Sequence, residues 1–219
     1  MKHTLIDSLK WYRDIQVKKT IQSLKQNNIS AHYAVTAEDA CKKAISLIPK
    51  GVTVAYGGSL TLDEIGMKDA LRNGNYNLLD RHRPGIDEEQ QYRLRLEGLR
   101  ADIFLMSTNA LTTTGQLVNM DGTGNRVAAL IFGPKKVIVI AGINKMVSDV
   151  ESAIHRIRNY VAPVHAKRTG RDLPCAQTGY CVNCHAPIRF CNALVITEHQ
   201  YQKNKDRITV IIVGQELGI

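Results

Sequence analysis

The stretch "KKVIVIAG" at 135–142 has no polar face, and "ADIFLMS" at 101–107 and "RITVIIVG" at 207–214 read the same way. Runs of this length without in/out alternation suit strands covered on both faces, and such strands demand helices above and below them. The chain supplies those helices. "AEDACKKAISLI" follows Thr36 as an N-cap and ends before Pro49, and "DEEQQYRLRLEGLR" begins acidic and ends basic, as the helix dipole favours. "SLTLDEIGMKDALRNG" carries a T-x-x-E capping pattern at Thr61 and Glu64 and a stop at Asn73 and Gly74. "NRVAALIFG" and "SDVESAIHRIRNYV" complete the set, and "AHYAV", "GVTVAY", "YNLLD" and "ALVIT" read as further strands. The alternation predicts an α/β fold, with a mainly parallel sheet flanked by helices.

The N-terminal stretch "MKHTLIDSLKWYRDIQVKKTIQ" reads as an amphipathic helix. Its stripe at helical spacing, through Leu5, Leu9, Tyr12, Ile15, Lys19, Ile21 and Leu24, is expected to face inward. It has no continuous apolar core and no small-residue cleavage site, and no run nears the ~18 apolar residues of a membrane span. The expectation is therefore one domain over residues 1–219, in the cytoplasm and off the membrane. With 29 Lys+Arg against 20 Asp+Glu the chain is basic, which suits an anionic ligand. Aromatic content of 5% argues against a base-stacking nucleic-acid platform.

From about 162 to 192 the helix–strand rhythm fails. The segment "PCAQTGYCVNCHAPIRFCNAL" holds Cys175, Cys181, Cys184 and Cys191, spaced C-x5-C-x2-C-x6-C. A long irregular loop within an α/β fold is usually functional or clamped. Clustered cytosolic thiols are more often metal or redox groups than cystines. Cys181 and Cys184 form the one C-x2-C pair, and Lys167, Arg168, Arg171 and Arg189 would offset an anionic four-thiolate centre. An iron–sulfur cluster leads, with structural zinc and metal-free thiols as alternatives; neither metal's usual spacing is matched. Cys41, within a predicted helix beside Ala40 and Ala44, reads as packing.

Two glycine-rich stretches follow predicted strands. In "VAYGGSLTLDEIG", Gly57, Gly58 and Ser59 lead into a helix N-terminus that could hold phosphate or carboxylate. The competing reading is that these glycines only make the turn. In "STNALTTTGQLVNMDGTGNRVAAL", Thr114, Gly115, Gly122 and Gly124 precede Asn125 and Arg126, whose guanidinium could fork an anion. Neither stretch is a dinucleotide fingerprint or a P-loop. No nucleophile elbow surrounds Ser59 or Ser107, and His82 in "DRHRPG" reads first as a loop histidine.

The block from Ser107 to Val147, joined to "GGSLTLDEIG" and "TGYCVNCHAPIRFCN", resembles the lactate-utilisation (LUD) domain family, in particular its stand-alone members. The resemblance implies a fold like glucosamine-6-phosphate isomerases, CoA transferases and 5-formyltetrahydrofolate cyclo-ligases. It also implies the context of an iron–sulfur-dependent system that oxidises L-lactate to pyruvate. Gly57, Gly58 and Ser59 would match one ligand loop, and Gly115, Gly122, Gly124, Asn125 and Arg126 the other. Where relatives often carry an acidic residue, this chain has Thr112, Thr113 and Thr114. The resulting expectation is a redox accessory or oxidoreductase component of 2-hydroxy-acid utilisation. It would bind a small anionic metabolite and an iron–sulfur cluster, with other redox proteins as partners and room for a homo-oligomer. The alternative is a metal-independent sugar-phosphate isomerase or acyl/CoA-transfer enzyme with a zinc or thiol loop.

Overall fold

The computed structural model describes residues 4–219, so Met1–His3, with the basic Lys2, lie outside the described part. In chain order the elements are α1 (Leu5–Gln26), β1 (Ser30–Ala34), α2 (Ala37–Ser46), β2 (Thr53–Tyr56), α3 (Leu60–Glu64), α4 (Met67–Arg72) and β3 (Asn77–Leu79). There follow α5 (Glu88–Gly98), β4 (Ile103–Met106), β5 (Ala110–Thr112), β6 (Leu117–Asp121), α6 (Asn125–Ile131), β7 (Lys136–Gly142) and β8 (Met146–Val147). The chain closes with α7 (Val150–Arg156), α8 (Ala162–Arg168), α9 (Pro174–Thr178), β9 (Ala193–Thr197) and β10 (Ile208–Val213).

Six strands form an all-parallel sheet in the order β1-β10-β7-β4-β2-β3. Its two central apolar runs divide by parity. Val137 and Val139 face one side with Val210, Ile212, Phe104 and Met106, where Leu24 of α1 and Leu130 of α6 cover them. Ile138 and Ile140 face the other with Ile211, Val213 and Leu105, under Ala40 and Ala44 of α2, Leu62 of α3 and Leu71 of α4. Helices on both faces explain why these strands lack a polar side. The fold class is thus the one read from the sequence.

Four local expectations are corrected. The stretch expected to be one helix capped at Thr61 is two. Ser59 caps α3 by accepting from Leu62 N at 3.3 Å, and Gly66, at φ 70, separates α3 from α4. Thr61 is instead buried, and its Oγ1 accepts from Lys145 Nζ. The glycine-punctuated loop after β4 contains a hairpin, β5–β6, which joins β8 and β9 in a second sheet ordered β8-β5-β6-β9. The irregular region starts later than 162, because α7 runs through a π-helical turn at Ile157–Val161 into α8, which carries Pro163 near its start.

The fourth concerns α1. Only Val17, Thr20 and Leu24 of this helix are buried; Leu5 is 74% exposed and Leu9, Tyr12 and Ile15 also face water. A 22-residue helix is about 33 Å long, whereas the five-residue strand β1 beside it spans about 17 Å. The first turns of α1 overrun the sheet.

The turn joining β5 to β6 is pinned to the far end of α1. Asn27 Nδ2 donates to the carbonyls of Thr114 and Gly115 at 3.1 and 3.2 Å, and Ser23 Oγ donates to Thr113 O at 3.0 Å. Gly115 sits at φ 86, and a Cβ there would lie 2.8 Å from the backbone of Ser23 and Leu24. Gly115→Ala should therefore destabilise the protein by more than about 1 kcal/mol in chemical denaturation, through both strain and displacement of the helix.

Candidate functional site

From β2 the chain first adds β3 on one side and then returns to add β4 on the other, so the switch point of the parallel sheet lies between β2 and β4. Crevices beyond the carboxyl ends of strands at such points are where open α/β sheets bind ligands. Here the loop Gly57–Ser59 leaves β2, and Ser107 leaves β4.

Arg126 fills the floor. Its Nε donates to Asp121 Oδ1 at 3.1 Å, its Nη1 to Asn119 Oδ1 and Ser107 O at 2.6 and 3.1 Å, and its Nη2 to Asn109 Oδ1 and Met120 O at 3.1 and 2.9 Å. All five N–H donors of a guanidinium are thereby used. The expected anion fork at Arg126 is corrected on this ground: the side chain is a buried tie between α6, β6 and the end of β4. Gly57 permits the tie, since a Cβ there would lie 3.2 Å from Arg126 Cδ. The helix starts contribute less than the sequence suggested. α3 has five residues and α6 seven, too few to align much dipole.

Free cationic groups lie beside this floor. A Cβ on Gly58 would come within 3.0 Å of Arg81 Nη2. Arg81, in the loop after β3, and Arg95, on α5, each hold a buried Nε with no hydrogen-bond partner. Neither is paired with a carboxylate among the described residues. Burial, and then the charge of Arg95, lower the Arg81 pKa. The adjacent Asp80 is turned away, accepting from Tyr56 Oη, from Arg72 Nε at 2.9 Å and from the His82 backbone. His82 stacks on Tyr56 with ring centroids 6.0 Å apart; burial, then Arg81 and Lys68, hold it below its ordinary pKa.

On the other side of Gly57–Ser59 stands Lys145, just after β7. It is buried, and Nζ donates to Thr61 Oγ1 at 2.9 Å and Ser107 Oγ at 3.0 Å. Burial, then the charges of Arg156 and Arg126, push its pKa down to about 7. Two hydroxyls and a near-neutral amine make a site able to accept or give a proton.

The cysteine segment forms a second centre. Cys175, Cys181, Cys184 and Cys191 line one cavity of about 40 Å³ with Met120, Ile157, Arg158 and Arg189. Arg189 holds the loop closed by donating to Cys184 O at 2.6 Å and to Cys191 O, and Asn159 Oδ1, in the π turn, accepts from Cys181 N at 3.2 Å. All four thiols are free, and Cys175 is held above its ordinary pKa by burial and then by Cys191, Cys184 and Cys181. No three His, Cys, Asp or Glu side chains among the described residues are grouped closely enough to hold a metal ion. The four thiols line this one cavity, and soft thiolates are the donor type that both iron–sulfur and zinc centres use. Cys41 packs against the α2 core, as expected.

The sequence-predicted ligand residues are thus divided. Gly57, Gly58, Ser59, Gly124, Asn125 and Arg126 gather near the switch point. Gly122 lies under the cysteine segment, its would-be Cβ 3.4 Å from Phe190 and its carbonyl accepting from Asn192 Nδ2. Thr114 and Gly115 belong to the α1 end of the hairpin, separated from Gly122 by β6, which spans roughly 17 Å. Arg81, Arg95, Lys145 and Asn119 escaped the sequence reading. "DRHRPG" drew attention to His82 but not to Arg81, and no pattern in the chain marks Lys145.

An α/β domain with unpaired cationic groups at its sheet switch point and a cysteine-lined cavity beside it is the class these features define. The LUD domain model matches residues 17–213, and the chain belongs to that family. Membership supports a role related to lactate utilisation. No curated protein matches the sequence. Among solved structures, a DUF162 family protein from Deinococcus radiodurans superposes with a TM-score of 0.51 at 15% identity, covering 92% of this chain and 97% of that one. That likeness shows the fold. Ribose 5-phosphate isomerase A from Neisseria gonorrhoeae aligns with a TM-score of 0.34 at 16% identity, over 52% of this chain and 54% of its own. The eIF2B delta protein from Chaetomium thermophilum gives 0.34 at 20% identity, over 67% and 56%. No helix among the described residues is long and apolar enough to cross a membrane.

Two measurements check this geometry. Arg126→Met leaves Asp121 and four carbonyl-type acceptors without their donor and should cost about 3–5 kcal/mol in urea denaturation. Lys145 has a folded pKa near 7 against an ordinary 10.5, so between these values the unfolded chain binds more protons and stability rises with pH. Stability measured from pH 7.5 to 9.5 should climb in the wild type and climb less steeply in Lys145→Met.

Proposed function

We propose that this chain is a single-domain, cytoplasmic LUD protein of lactate or related 2-hydroxy-acid utilisation. It acts as a redox accessory, with an iron–sulfur cluster on Cys175, Cys181, Cys184 and Cys191 and a small anionic metabolite at the switch-point crevice. The observation that carries the reading is the convergence of the four cysteines, scattered over 17 residues of sequence, on one cavity wall. When bound, such a cluster supplies one-electron transfer. The chain's own residues would do the rest. Arg189 fixes the loop backbone, Arg158 adds positive charge to the wall, and Ile157 and Met120 keep that side of it apolar. Free cysteines suit a reducing compartment.

One observation favours the second reading, a metal-independent isomerase or acyl-transfer enzyme. Lys145, buried between two hydroxyls, is equipped for proton transfer without any metal. Iron and acid-labile sulfide on anaerobically purified protein separate the two. The first reading expects a brown protein with about four irons per chain. Cys184→Ser should lose the iron, and Cys41→Ser should keep it. Colourless protein with one zinc, or with no metal, would move the function to the second reading.

A further inference from the structure

Buried guanidiniums are ordinarily matched by carboxylates or carbonyls, because an unpaired buried donor or charge costs free energy. This protein obeys the rule elsewhere. Arg126 has five internal acceptors, Arg207 donates to Ala129 O, Leu130 O and Pro134 O, and Arg156 donates to Asn109 O and Asn144 O. Arg81 and Arg95 depart from it together: both are half-buried, each keeps a buried Nε with no acceptor, and they lie close enough for the charge of Arg95 to act on Arg81.

The nearby acids do not compensate them. Asp121 is committed to Arg126 Nε and to Gly124 N at 2.8 Å, and Asp80 to Tyr56, Arg72 and the His82 backbone. Setting Asp121 against Arg126 leaves Arg81 and Arg95 with a surplus of two positive charges. Gly58 keeps the loop backbone close to the Arg81 guanidinium, where any side chain would crowd it. The groups left over therefore number two planar forks and two charges. A monocarboxylate offers two oxygens and one charge, which a single bidentate arginine satisfies. A phosphoryl group offers three or more acceptor oxygens and about two charges, and it can take a fork from each side.

We infer that Arg81 and Arg95, with the Gly57–Gly58 backbone, form a binding site for a phosphoryl dianion. This rests on the reading of the crevice as an anion site and deepens it by naming the ligand class. It does not depend on the cysteine segment.

The test is titration of the full-length protein, at constant ionic strength, with inorganic phosphate, sulfate, glycerol phosphate and L-lactate, read by calorimetry and by thermal melting. Phosphate and sulfate should bind at one site per chain and raise the melting temperature, with L-lactate at least tenfold weaker. Tighter binding of glycerol phosphate than of phosphate marks a phosphate ester as the ligand; the reverse marks free phosphate. Arg81→Met and Arg95→Met should each weaken phosphate by roughly tenfold or more. Without anion they should melt no lower than wild type, because each removes a buried Nε–H that has no acceptor. Arg93→Met, at an exposed residue paired with Glu89, serves as the control. Should a variant fail to fold, broadening of the phosphate ³¹P resonance by wild-type protein, reversed by sulfate but not by L-lactate, decides the dianion preference alone. L-lactate binding as tightly as phosphate, with the same arginine dependence, would overturn the inference and leave the anion site standing. Absence of any anion binding would overturn both.

Discussion

The Arg126 guanidinium is the tie on which the functional end of the molecule depends. It lies where the parallel sheet stops and the second sheet begins, and it holds Ser107 at the end of β4, the two asparagines Asn109 and Asn119, and the end of β6 in one arrangement. Inside a low-dielectric floor such a network is strong because all five guanidinium donors are paired, although Asn119 keeps a buried Nδ2 without a partner. Its pairing also frees the crevice. With the local carboxylate, Asp121, engaged by Arg126, Arg81 and Arg95 have no carboxylate partner among the described residues. A side chain that looks like a ligand in the sequence is the scaffold against which the ligand groups are set.

The two centres share β6. Met120 gives its carbonyl to Arg126 and its side chain to the cysteine cavity, and Asp121 gives its carbonyl to Asn192 N at the end of the cysteine segment. The π turn contributes in the same way from the other side, turning Ile157 and Arg158 toward the cavity and Asn159 toward Cys181. Such wide turns recur where a helix must present side chains off its regular spiral.

The sheet was legible in the sequence because burial on both faces leaves an unmistakable mark: Val137–Ala141 and Ile208–Val213 admit no polar residue except Thr209. The helix cap at Thr36 was legible because its chemistry is local. The hairpin at 110–121 was not, since its strands are short and "TTTG" and "DGTG" read as loop. Gly57 and Gly58 were found, but for a partial reason: they make room for arginines from distant segments as well as turning the chain. Arg81, Arg95 and Lys145 carry no local signature. What distinguishes them is that no carboxylate among the described residues forms an ion pair with them, a property that only the folded chain has.

The overrun of α1 has a consequence of its own. Its final turns are shielded by the sheet and by the turn at Thr113–Gly115, whereas its first turns rest on the Thr4–Asp7 capping box and on local helix terms alone. Isolated helical turns of that length are marginal in water. A single continuous helix thus carries two stabilities, and the opening of its amides to solvent deuterium must grade from frequent near Leu5 to rare near Leu24.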